Sequence, residues 1–381
     1  MGIYLDNAAT TQPLAGFEAE YSKYTKELWY NPSALYLPAL SVEKMVQETR
    51  EKLLKNFAAD GYKCFFTAGG TEGANTVIFG GAKKKKNMNY VCGGAEHPCV
   101  LESFRMLEET GHDVRYIKPR PDGYIDAEDA LALVDGNTAL VSIVHVNNET
   151  GAKNDVARIA QMVKQKNAAA LFHSDGVQAF LKEPVMRTEG IDYYTVSAHK
   201  LHALKGTGAV FYKSGAPLKP YLIGGGQEGG LRSGTQNTLG ILSFAYAADY
   251  FTKHSHDISE KYKSLRRTLI DGCSRIEDAV LVSPKEEERA CSHIVSLSFP
   301  GVAGETLMHT LEAKGIYIST GSACSSKKDK SRIRDALSLP GEVADGMVRV
   351  SFSFFNTEDE VWKTVEELEK NVKLLRKYKR S

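Results

Sequence analysis

Two residues stand in settings that would make them reactive, one through sulfur and one through an amine. Cys324 lies in STGSACSSKKDK (Ser319 to Lys330), where every neighbour from Ser319 to Ser326 is small or polar. A buried structural thiol needs bulky apolar company, which this stretch does not offer. Lys327, Lys328 and Lys330 add positive charge of the kind that stabilises a thiolate. The stretch reads either as a nucleophilic sulfur on a loop that must move or as a solvent loop with an idle cysteine. Lys200 closes YYTVSAHK behind Ser197 and His199. There, desolvation would turn an amine into a nucleophile, although a surface lysine would look the same.

Four further stretches gain meaning from these two. In FTAGGTEGAN a strand-like run ends in Gly69, Gly70 and Thr71 before a helix-compatible segment, which offers amides and a hydroxyl to a phosphate. HVNNET places Asn147 and Asn148 after an apolar run, where open α/β sheets bind ligands. In LFHSDGVQ, Asp175 follows a strand-like run and Gln178 comes three residues later. GGGQEGGLRSGT has six glycines between Gly224 and Thr235, so backbone can approach another group closely around Arg232, Ser233 and Thr235, which suits an anion clamp. A phosphate turn, an Asp after a strand and a lysine 25 residues beyond that Asp are the parts needed to hold pyridoxal phosphate. The lysine forms the Schiff base and the carboxylate keeps the pyridine nitrogen protonated.

Elements that position these residues follow from periodicity. YKCFFTA, NYVCGG, ALVSIVHV, ALFHSD, YYTVSA and GAVFYK read as short strands, and stretches such as DVARIAQMVKQKN as intervening helices. That alternation predicts an α/β domain with a mostly parallel sheet flanked by helices. From about Phe251 the texture changes to KYKSLRRTLIDGCSRI, SHIVSLSFP, GETLMHTLEAKG and VRVSFSF, then an amphipathic tail with acids early and bases late. This predicts a smaller α+β domain. The expected division is 15–255 for the larger unit, with 1–14 and 256–381 forming the smaller one that carries the Cys324 loop.

Composition narrows the classes. A length of 381 residues suits two domains, and Lys plus Arg (48) balances Asp plus Glu (47), so no overall field favours nucleic acid or an anionic membrane. The run Lys83 to Lys86 reads as a solvated loop. Six cysteines without a CxxC pair argue against a disulfide scaffold or zinc site and for a reducing, cytoplasmic setting. MGIYLDNAATT has neither the basic nor the apolar region of a signal peptide, and no apolar run approaches membrane-spanning length.

In order and spacing, YLDNAATT, FTAGGTEGAN, EHPCV, HVNNETG, HSDGVQ, SAHK, RSGT and TGSACSS closely resemble the NifS/IscS-type cysteine desulfurases of the class V aminotransferase superfamily, from Tyr4 to about Lys370. The resemblance implies a fold type I transferase, dependent on pyridoxal 5'-phosphate, that converts L-cysteine to L-alanine and leaves the sulfur on Cys324 as a persulfide. Lys200 would be the Schiff-base lysine, Asp175 the partner of the pyridinium nitrogen, and Gln178 and Asn148 would address the phenolic oxygen. His97 would stack on the ring and relay protons. Gly70, Thr71, Ser197 and His199 would hold the phosphate, with Thr235 reaching it from the neighbouring subunit of a homodimer. Arg349, in MVRVSFS, would bind the substrate carboxylate, with Asn148 beside it. A sulfur acceptor or iron-sulfur scaffold protein is the implied partner. This chain departs from the family at NPSALYLP, where Tyr36 replaces a common histidine, and at SFFN (Ser353 to Asn356), which replaces GRFT. Selenocysteine lyases and cysteine sulfinate desulfinases of the same superfamily would use the same cofactor residues and depend less on Cys324.

Overall fold

The computed structural model describes residues 2–57, 60–81, 87–183, 188–320 and 335–379. Cys324, the lysines that follow it and the run Lys83 to Lys86 lie outside these. In chain order the strands are β1 (Ile3–Tyr4), β2 (Tyr62–Thr67), β3 (Asn89–Gly93), β4 (Asp113–Ile117), β5 (Thr138–Ser142), β6 (Leu171–Asp175), β7 (Tyr193–Ser197), β8 (Gly208–Lys213), β9 (Val280–Leu281), β10 (Ile294–Ser298), β11 (Ile316–Tyr317) and β12 (Met347–Ser351).

β2 to β8 form a seven-stranded sheet in the order β2-β8-β7-β6-β5-β3-β4. β7, β6, β5, β3 and β4 run parallel, while β8 is antiparallel to both β7 and β2. β3, β5, β6 and β7 are buried along their whole length, which is why they read as near-continuous apolar runs and not as alternation. Thr67 and Ser197 both pair with Gly208, so β2 and β7 end at the same edge. β6, β5 and β3 point the same way, and every expected cofactor residue between Gly70 and Lys200 therefore ends a strand or follows a strand end along one rim. Helices Gly70–Gly81 and Pro98–Glu109 leave this rim directly. The first is seated very close to the sheet, since a Cβ at Gly73 would stand 2.6 Å from Thr195 Cγ2.

The remaining strands form two small sheets, β1 with β11 and the antiparallel set β12-β10-β9. Helices Ser255–Cys273, Gly304–Glu312 and Glu358–Lys379 match the expected texture of this half of the chain. The β1–β11 pairing brings the amino terminus to the carboxyl-terminal elements, and Asn356 Nδ2 fastens it by donating to the Tyr4 carbonyl at 3.0 Å. Asn356 belongs to the unexpected SFFN, where it thus has a structural task. Ser353 Oγ in the same stretch lies 3.1 Å from His202 Nε2.

Two departures have local causes. ALVSIVHV is strand only to Ser142; beyond it Ile143 and His145 N–H still donate to the β6 carbonyls of His173 and Asp175, while Val144 N–H donates to the Glu96 carboxylate and Val144 C=O accepts from Asn154 Nδ2, so these two groups are taken by side chains and not by a neighbouring strand. DVRYI was not expected as a strand, since Asp113 and Arg115 break its apolar pattern. It is β4 at the sheet edge, where Arg115 is held by Asp113 and Asp135.

The glycine-rich loop is anchored by a buried ion pair. Glu228 receives Arg50 Nη1 at 2.7 Å and Nη2 at 3.2 Å, and also the Phe66 N–H at 2.8 Å, so it ties the loop to β2 just before the Gly69–Gly70 turn. Glu228→Ala would leave Arg50 buried without its counter-charge, and a loss of about 3–5 kcal/mol of unfolding free energy is expected in urea denaturation.

Candidate active site

The rim gathers a lysine, a carboxylate and an imidazole. Lys200 sits in a single helical turn after β7, and its Nζ donates to the carbonyls of Ala8 at 2.5 Å and Ala9 at 2.7 Å. Burial pulls its ammonium down to about 8. Arg349 adds to the effect, against Asp6, Asp175 and Glu149, which favour the proton. At neutral pH the group thus keeps a usable fraction of free amine. His199 beside it is pushed down to about 4 by burial and then by Lys200, so it is neutral, and its Nδ1 lies 3.1 Å from Thr10 Oγ1.

Asp175, at the end of β6, is buried, and one carboxylate oxygen accepts from Val177 N–H at 2.9 Å. Burial raises its pKa to about 6 against that hydrogen bond and Lys200. A carboxyl group raised in this way gains most from a cation placed against it. His97 caps helix Pro98–Glu109, with Nδ1 accepting from Cys99 N–H at 3.2 Å. In the neutral ring this assigns the proton to Nε2. Cys99 Sγ lies 3.0 Å from the same Nδ1, and the Thr71 hydroxyl also acts on that sulfur, so the glycine turn and His97 meet through Cys99. Gly70 is required where it stands, since an added Cβ would come within 2.7 Å of Val177 Cγ2.

Arg349, on β12, approaches from the other half of the chain and is almost fully buried. Nη2 donates to Asp6 Oδ1 at 2.8 Å and Nη1 to the Asn148 carbonyl at 2.8 Å. Its backbone exchanges hydrogen bonds with Ser319, two residues before the stretch 321–334. On the far side of that stretch, Ala336 and Leu337 line a small cavity with Glu96, Asn147, Asn148 and Glu149. Both described flanks of the Cys324 stretch therefore border the site.

Other expected residues have the following partners within the protein. Gln178 is buried and donates to the Ala8 carbonyl at 2.8 Å, the acceptor that Lys200 also uses. Asn148 Nδ2 donates to Glu149 Oε1 at 3.0 Å, and Asn147 is a loop bracket that accepts from Glu149 and Thr150. Ser197 is buried beside Gly70. Thr235 is exposed in the single chain. Arg232 holds an anion within the protein: its guanidinium grips Glu72 at 2.9 and 3.3 Å. Tyr36 is half exposed, with the Tyr30 ring 6.0 Å away. Asp6, Ala8, Ala9 and Glu96 were not foreseen. YLDNAATT was the one signal that pointed to the first three.

The family model "Aminotransferase class-V" matches residues 3–363. The chain belongs to the class-V aminotransferase family. As a class-V aminotransferase it is 35% identical over 376 residues to "Cysteine desulfurase IscS" of Clostridium botulinum strain Hall, covering 97% of this chain and 94% of the relative. Among solved structures it resembles a "NIFS-LIKE PROTEIN" with TM-score 0.90 and 32% identity, covering 98% of this chain and 100% of that one. It also resembles "SspA in complex with cysteine" with TM-score 0.78 and 28% identity, covering 93% and 100%. The family depends on pyridoxal phosphate, and the residues present fit that group. A desolvated amine, a buried carboxylate in want of a cation, and a glycine-lined helix start lie on one rim.

Proposed function

We propose that this class-V aminotransferase is a pyridoxal-phosphate-dependent cysteine desulfurase that takes the sulfur of L-cysteine onto Cys324, releases L-alanine, and supplies the sulfur to iron-sulfur cluster or other sulfur-compound assembly. The observation that carries the reading is the meeting of Lys200, Asp175 and Arg349 at one rim, bordered by both described flanks of the Cys324 stretch. The relatives' names support the same activity.

Pyridoxal phosphate, when bound, supplies an electron sink conjugated to the substrate's α-carbon. Lys200 would hold it through its amine, with Asp175 as the counter-ion of the ring nitrogen and the Gly70–Thr71 helix start, Ser197 and His199 at the phosphate. His97 offers a proton at Nε2, because Nδ1 is committed to its own helix. Arg349 would orient the substrate by its carboxylate, for which a guanidinium fork is suited. The Cys324 thiolate attacks the substrate sulfur, an S–S bond forms as the C–S bond breaks, and a proton goes to carbon to complete alanine. Cysteine and one thiol thus become alanine and one persulfide.

The reading extends to a homodimer, in which exposed Thr235 reaches the partner's phosphate, and to a smaller unit made of 1–14 with 256–381. Among the described residues no helix is long and apolar enough to cross a membrane. The test is product analysis with L-cysteine as the sole substrate. Alanine in step with transferred sulfur is expected, whereas pyruvate, or a need for a keto-acid acceptor, would move the protein to lyase or transaminase chemistry.

A further inference from the structure

We propose that Asp6 is a placeholder for the substrate carboxylate: it pairs with the guanidinium of Arg349 until substrate enters and then gives way. The inference rests on the assignment of Arg349 made above and adds a residue that selects for the charge of the ligand.

Arg349 is 3% exposed, and a guanidinium so far from water needs a counter-charge before any ligand arrives. Among the described residues two carboxylates are near it. Asp6 Oδ1 accepts from Nη2 at 2.8 Å, whereas Glu149 Oε2 stands 3.7 Å from Nη1, too far for a hydrogen bond, while that nitrogen donates to the Asn148 carbonyl. Asp6 therefore holds Nη2, one arm of the guanidinium fork to which an incoming carboxylate would bind. It is also better placed to leave, with its side chain 18% exposed against 12% for Glu149. Its backbone would not have to move, because Leu5 and Asn7 on either side are hydrogen-bonded to Ser351 of β12. Rotation of one short side chain vacates the site.

Lys200 supplies a second line of support. Asp6 is among the groups that keep a proton on its amine and Arg349 among those that expel it, so the three charges share one small space. A substrate carboxylate that takes over Arg349 while Asp6 turns to solvent leaves the charge around Lys200 nearly unchanged. An uncharged thiol gains no such exchange, which makes the Asp6–Arg349 pair a filter for carboxylate-bearing ligands.

The probe is 3-mercaptopropionate, which has the carboxylate and thiol of the substrate and no amine to react. Its affinity for the holoenzyme is measured by calorimetry. Asp6→Asn and Asp6→Ser, which remove a competing like charge, are expected to bind it about three- to tenfold more tightly, and Asp6→Glu to stay near the parent protein. Glu149→Gln should change affinity less than Asp6→Asn. In the cofactor-free protein, Asp6→Asn should also titrate Lys200 at lower pH. Unchanged or weaker binding in both Asp6 variants, with Arg349→Gln still weakening the probe, would make Asp6 an orienting partner and overturn the proposal. If Arg349→Gln leaves affinity unchanged, the assignment of Arg349 fails, and the placeholder fails with it.

Discussion

Lys200→Ala is expected to lose the visible absorbance of bound cofactor and to reduce alanine formation from L-cysteine by about 10⁴-fold or more, as when a covalent catalyst is removed. The comparison that gives this force is Lys182, which burial, and then the charge of Lys200, bring down to about 7, lower than Lys200 at about 8. If a depressed amine were enough, Lys182 would be the better choice. Geometry separates them. Lys182 Nζ donates to Gln178 Oε1 at 3.3 Å, one residue removed from the rim, while Lys200 follows β7 directly and shares the electrostatic field of Asp175 and Arg349. Lys182→Ala should therefore keep the absorbance band. The pH dependence has a definite sign. The attacking amine must be unprotonated, so the rate at which cofactor-free protein takes up pyridoxal phosphate should rise with pH and level off above about 8. Arg349 is one of the groups that depress Lys200, so Arg349→Gln should shift that rise to higher pH. Uptake independent of pH across this range would mean that another group makes the bond.

What could be read from the chain depended on whether a residue's partners are local. Asp175 and Lys200 announce themselves because β6 and β7 are short apolar runs that end at them, and a strand end in an open sheet is where ligands sit. Asp6, Ala8 and Ala9 carry no such sign in composition or periodicity. They reach Lys200 and Arg349 only because β1 pairs with β11, more than 300 residues away along the chain. Arg232 illustrates a partner that is not local. Its glycine-rich surroundings do bring backbone and guanidinium close to an anion, but the sequence could not say that Glu72, in helix Gly70–Gly81, was already there. DVRYI escaped notice because an edge strand need not be apolar on either face, and its charges satisfy one another. The sulfur bridge from His97 through Cys99 to Thr71 joins two stretches that were each read as separate signals.

Cys324→Ser is expected to stop sulfur transfer from L-cysteine while leaving the absorbance of the bound cofactor in place, since a serine hydroxyl stays protonated and is a poor nucleophile towards sulfur. The other five cysteines give the prediction its specificity. Cys64, Cys273 and Cys291 are buried, and burial holds each thiol up at about 12; Cys92 is buried and raised as well. Cys99 borders the site, but burial and then the charge of Asp175 raise its thiol far above neutrality. At neutral pH none of the five holds an appreciable fraction of thiolate, the form that attacks sulfur. Incubation with L-cysteine followed by mass spectrometry of every cysteine peptide should therefore place an adduct of about 32 Da, one sulfur atom, on the Cys324 peptide and on no other. The substrate comparison is equally sharp. With selenocysteine, whose C–Se bond is weaker, Cys324→Ser should retain activity, and with cysteine it should not. Equal activity of parent and variant on cysteine, with alanine formed and no adduct at Cys324, would show that the substrate sulfur leaves without a protein acceptor, and Cys324 would return to being an idle thiol in a polar stretch of sequence.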